Sequence, residues 1–458
     1  MARRQAAQWL QYAAGNGMAS PEWSNSVRIL LIAYDYPPLA SPQSIRWHYL
    51  TRELARQGAE VHVLAPALPD SGTALAVPAG VSVHRCSAGG LAGWLARRRR
   101  ARSMLRPDAT ATGAVMPPAR PVPSLNWKGR LHQRLNTLIG LWCYPDSRGQ
   151  WRRPARAALR TLLERLRPDV VIGSHEPAVS LELGLEASGG AVWFADLGDP
   201  VLAPYTPWRW RRRAGKLEAE VCASAAAISV TTAQTRELLI ARHGIAPERI
   251  FVLPQGYDDR VTHAAWNPGL PALELGGELN LLYTGRFYPF RRPLALLEAV
   301  LAQPRVRLAV AAPEVAPEYL AFADRSGGRI VFLGEQPHEY VLELQRRCDV
   351  LVNIGNALAA QTPGKLFEYL GSGKPILHCY SEESDPANAL VRTWGRGWVC
   401  RNDRADIEAF LASLLASPRE RCAELSRDGD AAAEYGWSML AWRLLQRCGQ
   451  WVGDRHRA

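Results

Sequence analysis

The sequence predicts an α/β protein built as two open parallel-sheet domains, one in each half of the chain, facing a common cleft. Three observations carry this prediction. At 458 residues the chain is longer than one hydrophobic core ordinarily serves. Both halves alternate short apolar runs with stretches of helical spacing, the pattern of crossover-connected parallel strands. Between them VTHAAWNPGLPALELGGE, residues 261–278, has the proline and glycine content of a linker.

The elements follow in order. Residues 1–26, which open MARRQAAQWLQYAAGNGMAS, have arginines but only brief apolar runs, and are expected to form a loose extension rather than a cleaved signal peptide. VRILLIAYDY, 27–36, is a continuous apolar run ending in a proline turn, IRWHYLTRELARQG has helical spacing closed by glycine, and AEVHVLAP is a second strand. From Ala67 to about Asn126 the chain is rich in Ala, Pro, Gly and Arg, which predicts a loop or partly disordered insertion. PARAALRTLLERLRPDVVIGSHEP and AVWFADLGDP restore a helix and two buried strands, and ERIFVLPQGYDDR closes a first domain over 27–260. The second domain, 279–437, opens with LNLLYTGRF and continues through VRLAVAAP, RIVFLGE, HEYVLELQRRC and DVLVNIG. A last helix, 438–458, is expected to complete the first domain.

Composition narrows the function. Hydrophobic residues at 47% and charged residues at 21% describe a globular protein, with no apolar stretch reaching the roughly eighteen residues of a membrane span. The eight cysteines are scattered, without metal-ligand spacing, which fits reduced thiols in a cytoplasm. A net charge of +12 points to an anionic partner. The arginines cluster beside indoles, at Trp94 with Arg97 to Arg100 and in WRWRRR from Trp208 to Arg213. A solvated charged face has that composition, and so does a surface that docks on the inner face of an anionic membrane. Nucleic acid is not expected as a partner, because no zinc-finger, RRM or basic-zipper signature occurs.

The stretch QTPGKLFEYLGSGKPILHCY, 361–380, carries the chemistry. Thr362 suits a helix N-cap, Pro363 the first helical position, and Gly364 a close approach of backbone to a ligand. First-turn N–H groups and the helix dipole favour an anion there, and Lys365 adds a full charge. Glu368 lies one turn on; an acceptor-only carboxylate suits a vicinal pair of hydroxyls, as on a ribose. An ordinary helix with an i,i+3 Lys–Glu pair has the same spacing. Arg286, Arg291 and Arg292 gather after the strand LNLLYT, at the end where α/β sheets bind ligands, and their forks match diphosphate oxygens.

YTGRFYPFRRPLALLEA together with QTPGKLFEYLGSGKPIL resembles the donor half of the retaining GT-B glycosyltransferases of the family 4 type. LLIAYDYPPLASPQSIRW, WFADLGDP and VLPQGYD are similar to that family's opening strand-loop-helix, its aspartate-rich strand end and its interdomain strand. The resemblance implies two Rossmann-like domains with a nucleotide-sugar between them. Arg286 and Arg291 would act on the diphosphate together with Lys365 and the backbone at Gly364 and Leu366, and Glu368 would take the ribose hydroxyls. FLGEQP, 332–337, would meet the base, and His175 would be catalytic at the transferred sugar. Ser44, Arg46, Asp196 and Asp199 are the acceptor-side candidates, for a glycan or lipid-linked acceptor.

The sequence departs from the family pattern in several places, among them Arg291, which stands where lysine is usual. Ala360 stands where a glutamate is usual, ASPQS at 40–44 replaces a glycine-rich loop, and Gln255 replaces asparagine. The only D-x-D, Asp428-Gly429-Asp430, follows no strand, so neither metal nor cofactor is expected. The implied reaction is hexosyl transfer with retention, in surface polysaccharide or exopolysaccharide synthesis. A nucleotide-sugar epimerase, or an inactive nucleotide-sugar-binding partner of another transferase, stands as the alternative.

Overall fold

The computed structural model describes residues 27–39, 41–68, 75–90, 93–94, 98, 138–260, 276–356, 362–418, 421, 425 and 430–457, with backbone alone at 430–431 and 454–457. Residues 1–26, Ala40, most of 67–126, most of the linker 261–278, Ala360 with Gln361, and Asp428 with Gly429 lie outside them. The chain divides into two compact units. The first takes the described residues up to Gln255 and again those from Trp437 onward, and the second takes Gly256–Gly436.

In the first unit the strands are β1 (Arg28–Ile32), β2 (Glu60–Ala67), β3 (Val81–Ser87), β4 (Val170–His175), β5 (Val192–Leu197), β6 (Ala227–Val230) and β7 (Ile250–Val252). They pair in parallel in the order β3-β2-β1-β4-β5-β6-β7. Parallel neighbours need crossovers, which include α1 (Pro42–Arg56), α2 (Arg152–Leu166), α3 (Val179–Ala187), α4 (Trp208–Ser224) and α5 (Ala233–His243). Helices on both faces bury β4 and β5 along their whole length, which is why VVIGSH and VWFADL are nearly continuous apolar runs. The strand order reverses between β1 and β4, so the crevice of this sheet opens at their carboxyl ends. The ASPQS loop leads there into a conventional helix start: Ser41 Oγ accepts the Ser44 N–H at 3.1 Å and Pro42 takes the first position of α1.

One expectation is corrected. Within the stretch read as loop or disorder, β3 pairs with β2 from Val61↔Val81 to Ala67↔Ser87. It is an edge strand, half-exposed along most of its length, so its sequence VSVHRCS shows no buried run for a pattern search to find.

The second unit has β8 (Leu279–Thr284), β9 (Val306–Ala311), β10 (Ile330–Phe332), β11 (Val350–Ile354), β12 (Ile376–Tyr380) and β13 (Gly397–Arg401), parallel in the order β10-β9-β8-β11-β12-β13. Its helices include α6 (Leu294–Ala302), α7 (Pro317–Arg325), α8 (His338–Arg347), α9 (Lys365–Ser372), α10 (Pro386–Trp394) and α11 (Arg404–Ala416). Here the reversal lies between β8 and β11. Two glycines set α9. A Cβ on Gly371 would stand 2.2 Å from the Tyr257 ring, and Gly373 closes the helix at φ +75°.

The chain then returns to the first unit as α12 (Trp437–Arg457). Trp437 stacks on Tyr49 of α1 at 6.0 Å, Gln57 donates to the Ser438 carbonyl at 2.8 Å, and Trp451 lies 6.0 Å from Phe194 of β5. No described helix is long and apolar enough to cross a membrane.

Candidate functional site

The site of the second unit is built where β8 ends. Tyr369 of α9 anchors that end: its hydroxyl accepts the Thr284 N–H at 2.9 Å and lies 3.0 Å from Thr284 Oγ1. With the helix fixed against the strand, Lys365 in its first turn reaches across. Its Nζ donates to the Thr284 carbonyl at 3.0 Å and sits 3.6 Å from the centre of the Tyr283 ring. Gly285, at φ +105°, turns the chain beside the lysine stem. Arg291 lies at the close of a tight turn bridged from Tyr288 and is buried, with Nε and Nη2 both on Asn356 Oδ1 at 3.0 and 2.6 Å. Arg286 is half-exposed and 3.6 Å from the Glu314 carboxylate.

The electrostatics of this cluster are unbalanced. Burial holds the Lys365 amine well below the ordinary lysine value, the neighbouring Arg291 charge lowers it further, and Glu368 opposes both. Burial also pushes the Tyr283 hydroxyl up to about 12. Among the described residues neither Lys365 nor Arg291 has a carboxylate within 4.0 Å. Two sequestered cations that repel each other and lack an acidic partner leave room for a bound anion. Glu368 does not form the i,i+3 pair with Lys365: its carboxylate lies 3.9 Å from His338 Nε2. His338 opens α8 directly after FLGEQP, and sequence reasoning did not single it out.

The helix start differs from the expected one in detail. Gly364, not Thr362, occupies the N-cap position of α9, and no side chain caps it. The Leu366 and Phe367 N–H groups donate to the Pro363 and Gly364 carbonyls at 3.0 and 3.1 Å. Thr362 and Pro363 therefore both precede the helix, rather than capping it and opening it.

In the first unit the carboxyl end of β4 presents His175. Its Nδ1–H donates to the Asp199 carbonyl at 3.1 Å, which fixes the ring and leaves Nε2 without a protein partner among the described residues. Ser174 Oγ, one residue back, accepts from Trp47 Nε1 at 2.6 Å and Gln43 Nε2 at 2.7 Å. The acceptor-side candidates divide. Asp199 is part-exposed, with Tyr205 donating to its carboxylate at 3.2 Å. Arg46 and Asp196 are fully buried and paired at 3.2 Å; Arg46 also donates to the Leu253 and Pro254 carbonyls, and Ser229 donates to Asp196 at 2.5 Å. They tie α1 to the ends of β5, β6 and β7, and buried Ser44 lies beside them on α1. These three are therefore framework rather than a solvent-facing wall. Polar groups outside the sequence expectations stand nearby: Asp35, its carboxyl raised by burial and lowered by the Arg148 charge, and Arg148, which grips Asp146 at 2.8–3.1 Å. No local pattern could reveal that grouping, because Asp35 and Arg148 meet only through the fold. Among the described residues no three His, Cys, Asp or Glu side chains gather as a metal-binding group.

Comparisons with known proteins agree with this architecture. Residues 118–261 match the family described as Glycosyltransferase Family 4. No curated protein matches the chain. Sucrose-phosphate synthase from Thermosynechococcus elongatus superposes with a TM-score of 0.62 at 15% identity, over 93% of this chain and 100% of that one. A glycosyltransferase from Rickettsia africae gives 0.56 at 11% identity, over 93% and 98%. A UDP-N-acetylglucosamine 2-epimerase gives 0.51 at 12% identity, over 92% and 95%. At these identities the shared property is the two-domain GT-B fold, which both parallel sheets display.

Proposed function

We propose, on the premise of a Glycosyltransferase Family 4 segment carried on a GT-B scaffold, that this chain transfers a sugar from a nucleotide-sugar to a hydroxyl acceptor. The observation that supports this most directly is the pair of sequestered cations without a carboxylate, Lys365 and Arg291, at the carboxyl end of β8. A diphosphate lying there neutralises both, and Arg286, two residues past the end of β8 and 3.6 Å from Glu314, leaves that carboxylate to join them. Glu368, free of Lys365, accepts the ribose hydroxyls, and the loop 332–337 with His338 beside Glu368 flanks the base. As the diphosphate departs its growing charge is stabilised by these fixed cations.

On this reading transfer proceeds with retention, the leaving phosphate taking the acceptor proton. His175, oriented through Asp199, offers Nε2 to a hydroxyl of the transferred sugar. No residue is assigned to a metal, and the acceptor is a glycan or lipid-linked sugar of a surface polysaccharide. The epimerase reading draws on a fold neighbour of lower similarity, and its sugar-carbon chemistry would fall to His175 and Glu176 alone. Incubating the protein with a panel of nucleotide-sugars and lipid-extract acceptors, with and without chelator, tests the proposal. Glycosylated acceptor formed in chelator is the expected result. An epimerised donor, nucleotide binding without turnover, or a strict requirement for added divalent cation would overturn it.

A further inference from the structure

The proposed chemistry makes no use of two exposed stretches of the first unit that pack against each other. Residues 138–142 are helical, and Leu138, Leu141 and Trp142, spaced i, i+3, i+4 along one helical side, stand in solvent. Trp142 is 87% exposed and Trp208, the first residue of α4, is 85% exposed, more than any other large apolar side chain among the described residues. Tyr144 brings the two segments together: its ring lies 5.5 Å from that of Trp210 and 4.6 Å from the Arg213 guanidinium carbon. Arg209, Arg211 and Arg212 on the same helix turn are exposed, and none has a carboxylate partner among the described residues. Arg213, by contrast, is paired with Glu182 at 2.9 Å.

Bare indoles beside unneutralised guanidinium groups fit one surface better than others. Trp and Arg are enriched in protein interfaces too, but three unneutralised arginines on one turn of a chain of net charge +12 favour a surface of dense negative charge, and the headgroup zone of an anionic bilayer accepts indole rings and arginines together. The segment before α4 also borders the His175 end of β4, because half-exposed Tyr205 donates to Asp199 at 3.2 Å and Asp199 holds His175 at 3.1 Å. We propose that Trp142, Trp208 and the α4 arginines seat this unit on an anionic membrane surface, presenting a lipid-held acceptor at the His175 end. The second clause rests on the proposed transfer reaction; the docking itself does not. The other indole–arginine cluster adds little to it, since Arg97, Arg99 and Arg100 lie outside the described residues and only Arg98, over the Trp94 ring at 5.1 Å, is described.

Sedimentation with phosphatidylcholine vesicles, with or without phosphatidylglycerol, tests the docking. The protein should partition to the phosphatidylglycerol vesicles alone, and less as salt is raised. Each surface arginine contributes roughly fivefold, so Arg209→Ser/Arg211→Ser/Arg212→Ser should weaken partition about a hundredfold. Trp142→Ser/Trp208→Ser should release the protein at unchanged charge. Calorimetry of the same variants with a nucleoside diphosphate reads the donor site separately, so a failure of docking is distinguished from a failure of the transferase reading. Equal partition to neutral vesicles, no partition at all, indifference to both variants, or a dimer that the tryptophan variant dissociates would overturn the proposal.

Discussion

On the proposed reading Glu368 and Lys365 hold the donor, and each has its own test. Hydrogen bonds to a charged group contribute roughly 1.5–3 kcal/mol each, so Glu368→Ala should cost about 2–4 kcal/mol in nucleoside diphosphate affinity. That is roughly thirty- to several-hundredfold by calorimetry. Glu368→Gln, keeping one acceptor, should fall between; unchanged affinity in the alanine variant would return the carboxylate to a merely structural place beside His338. Lys365 predicts a proton. Its amine is held below the ordinary 10.5 by burial and by Arg291, so in the window beneath 10.5 and above its lowered folded value the native state binds fewer protons than the unfolded one. The sign follows: stability should rise with pH across that window. A diphosphate docking beside the amine strengthens its hold on a proton, so binding within that same window should take up a proton. Calorimetry in buffers of different ionisation heat measures this, and Lys365→Met should abolish it.

At the level of elements, α9 owes its place to two glycines for different reasons. Gly371→Ala puts a methyl into the Tyr257 ring, and overpacking of this kind costs roughly 1–3 kcal/mol. Gly373→Ala forces a Cβ into a left-handed turn at φ +75°, at a cost of about 1 kcal/mol. Urea midpoints of the two variants should both fall, and Gly371→Ala should also weaken nucleotide binding because it shifts the helix that carries Lys365 and Glu368. The same helix shows what was legible in the sequence. The T-P-G-K-x-x-E spacing disclosed that a helix starts here, but not which residue caps it or that Glu368 lies against His338 rather than Lys365. Strands β1, β4, β5, β8 and β11 were equally plain, because burial on both faces leaves continuous apolar runs. The edge strand β3 and the four-residue β6 were not, one being half-exposed and the other too short among alanines. Nor could spacing show that Arg46 and Asp196, 150 positions apart, neutralise each other in the interior, or that Asn356 grips Arg291.

Across the whole molecule, the residues proposed to act on the transferred sugar and on the diphosphate belong to different units, and that separation is testable. His175 belongs to the first unit and the cation cluster to the second. His175→Ala should therefore lower turnover roughly five- to hundredfold, the worth of about 1–3 kcal/mol of hydrogen bonding to the sugar, while affinity for free nucleoside diphosphate stays as in the parent. Collapse of nucleotide affinity in a folded variant would place His175 wrongly. The return of α12 to the first unit bears on how the protein is made. Trp437 and Trp451 cover apolar surface on α1, β5 and β7 that is assembled from residues translated hundreds of codons earlier. During synthesis that surface stays uncovered while the entire second unit emerges and folds, so the unit that starts first is the one that finishes last. Ribosome-arrested chains ending at Gly436 and followed by a spacer long enough to fill the exit tunnel should accordingly show a protease-resistant second unit beside a first unit that is still cleaved, with resistance of the first unit appearing only when α12 is included ahead of the spacer.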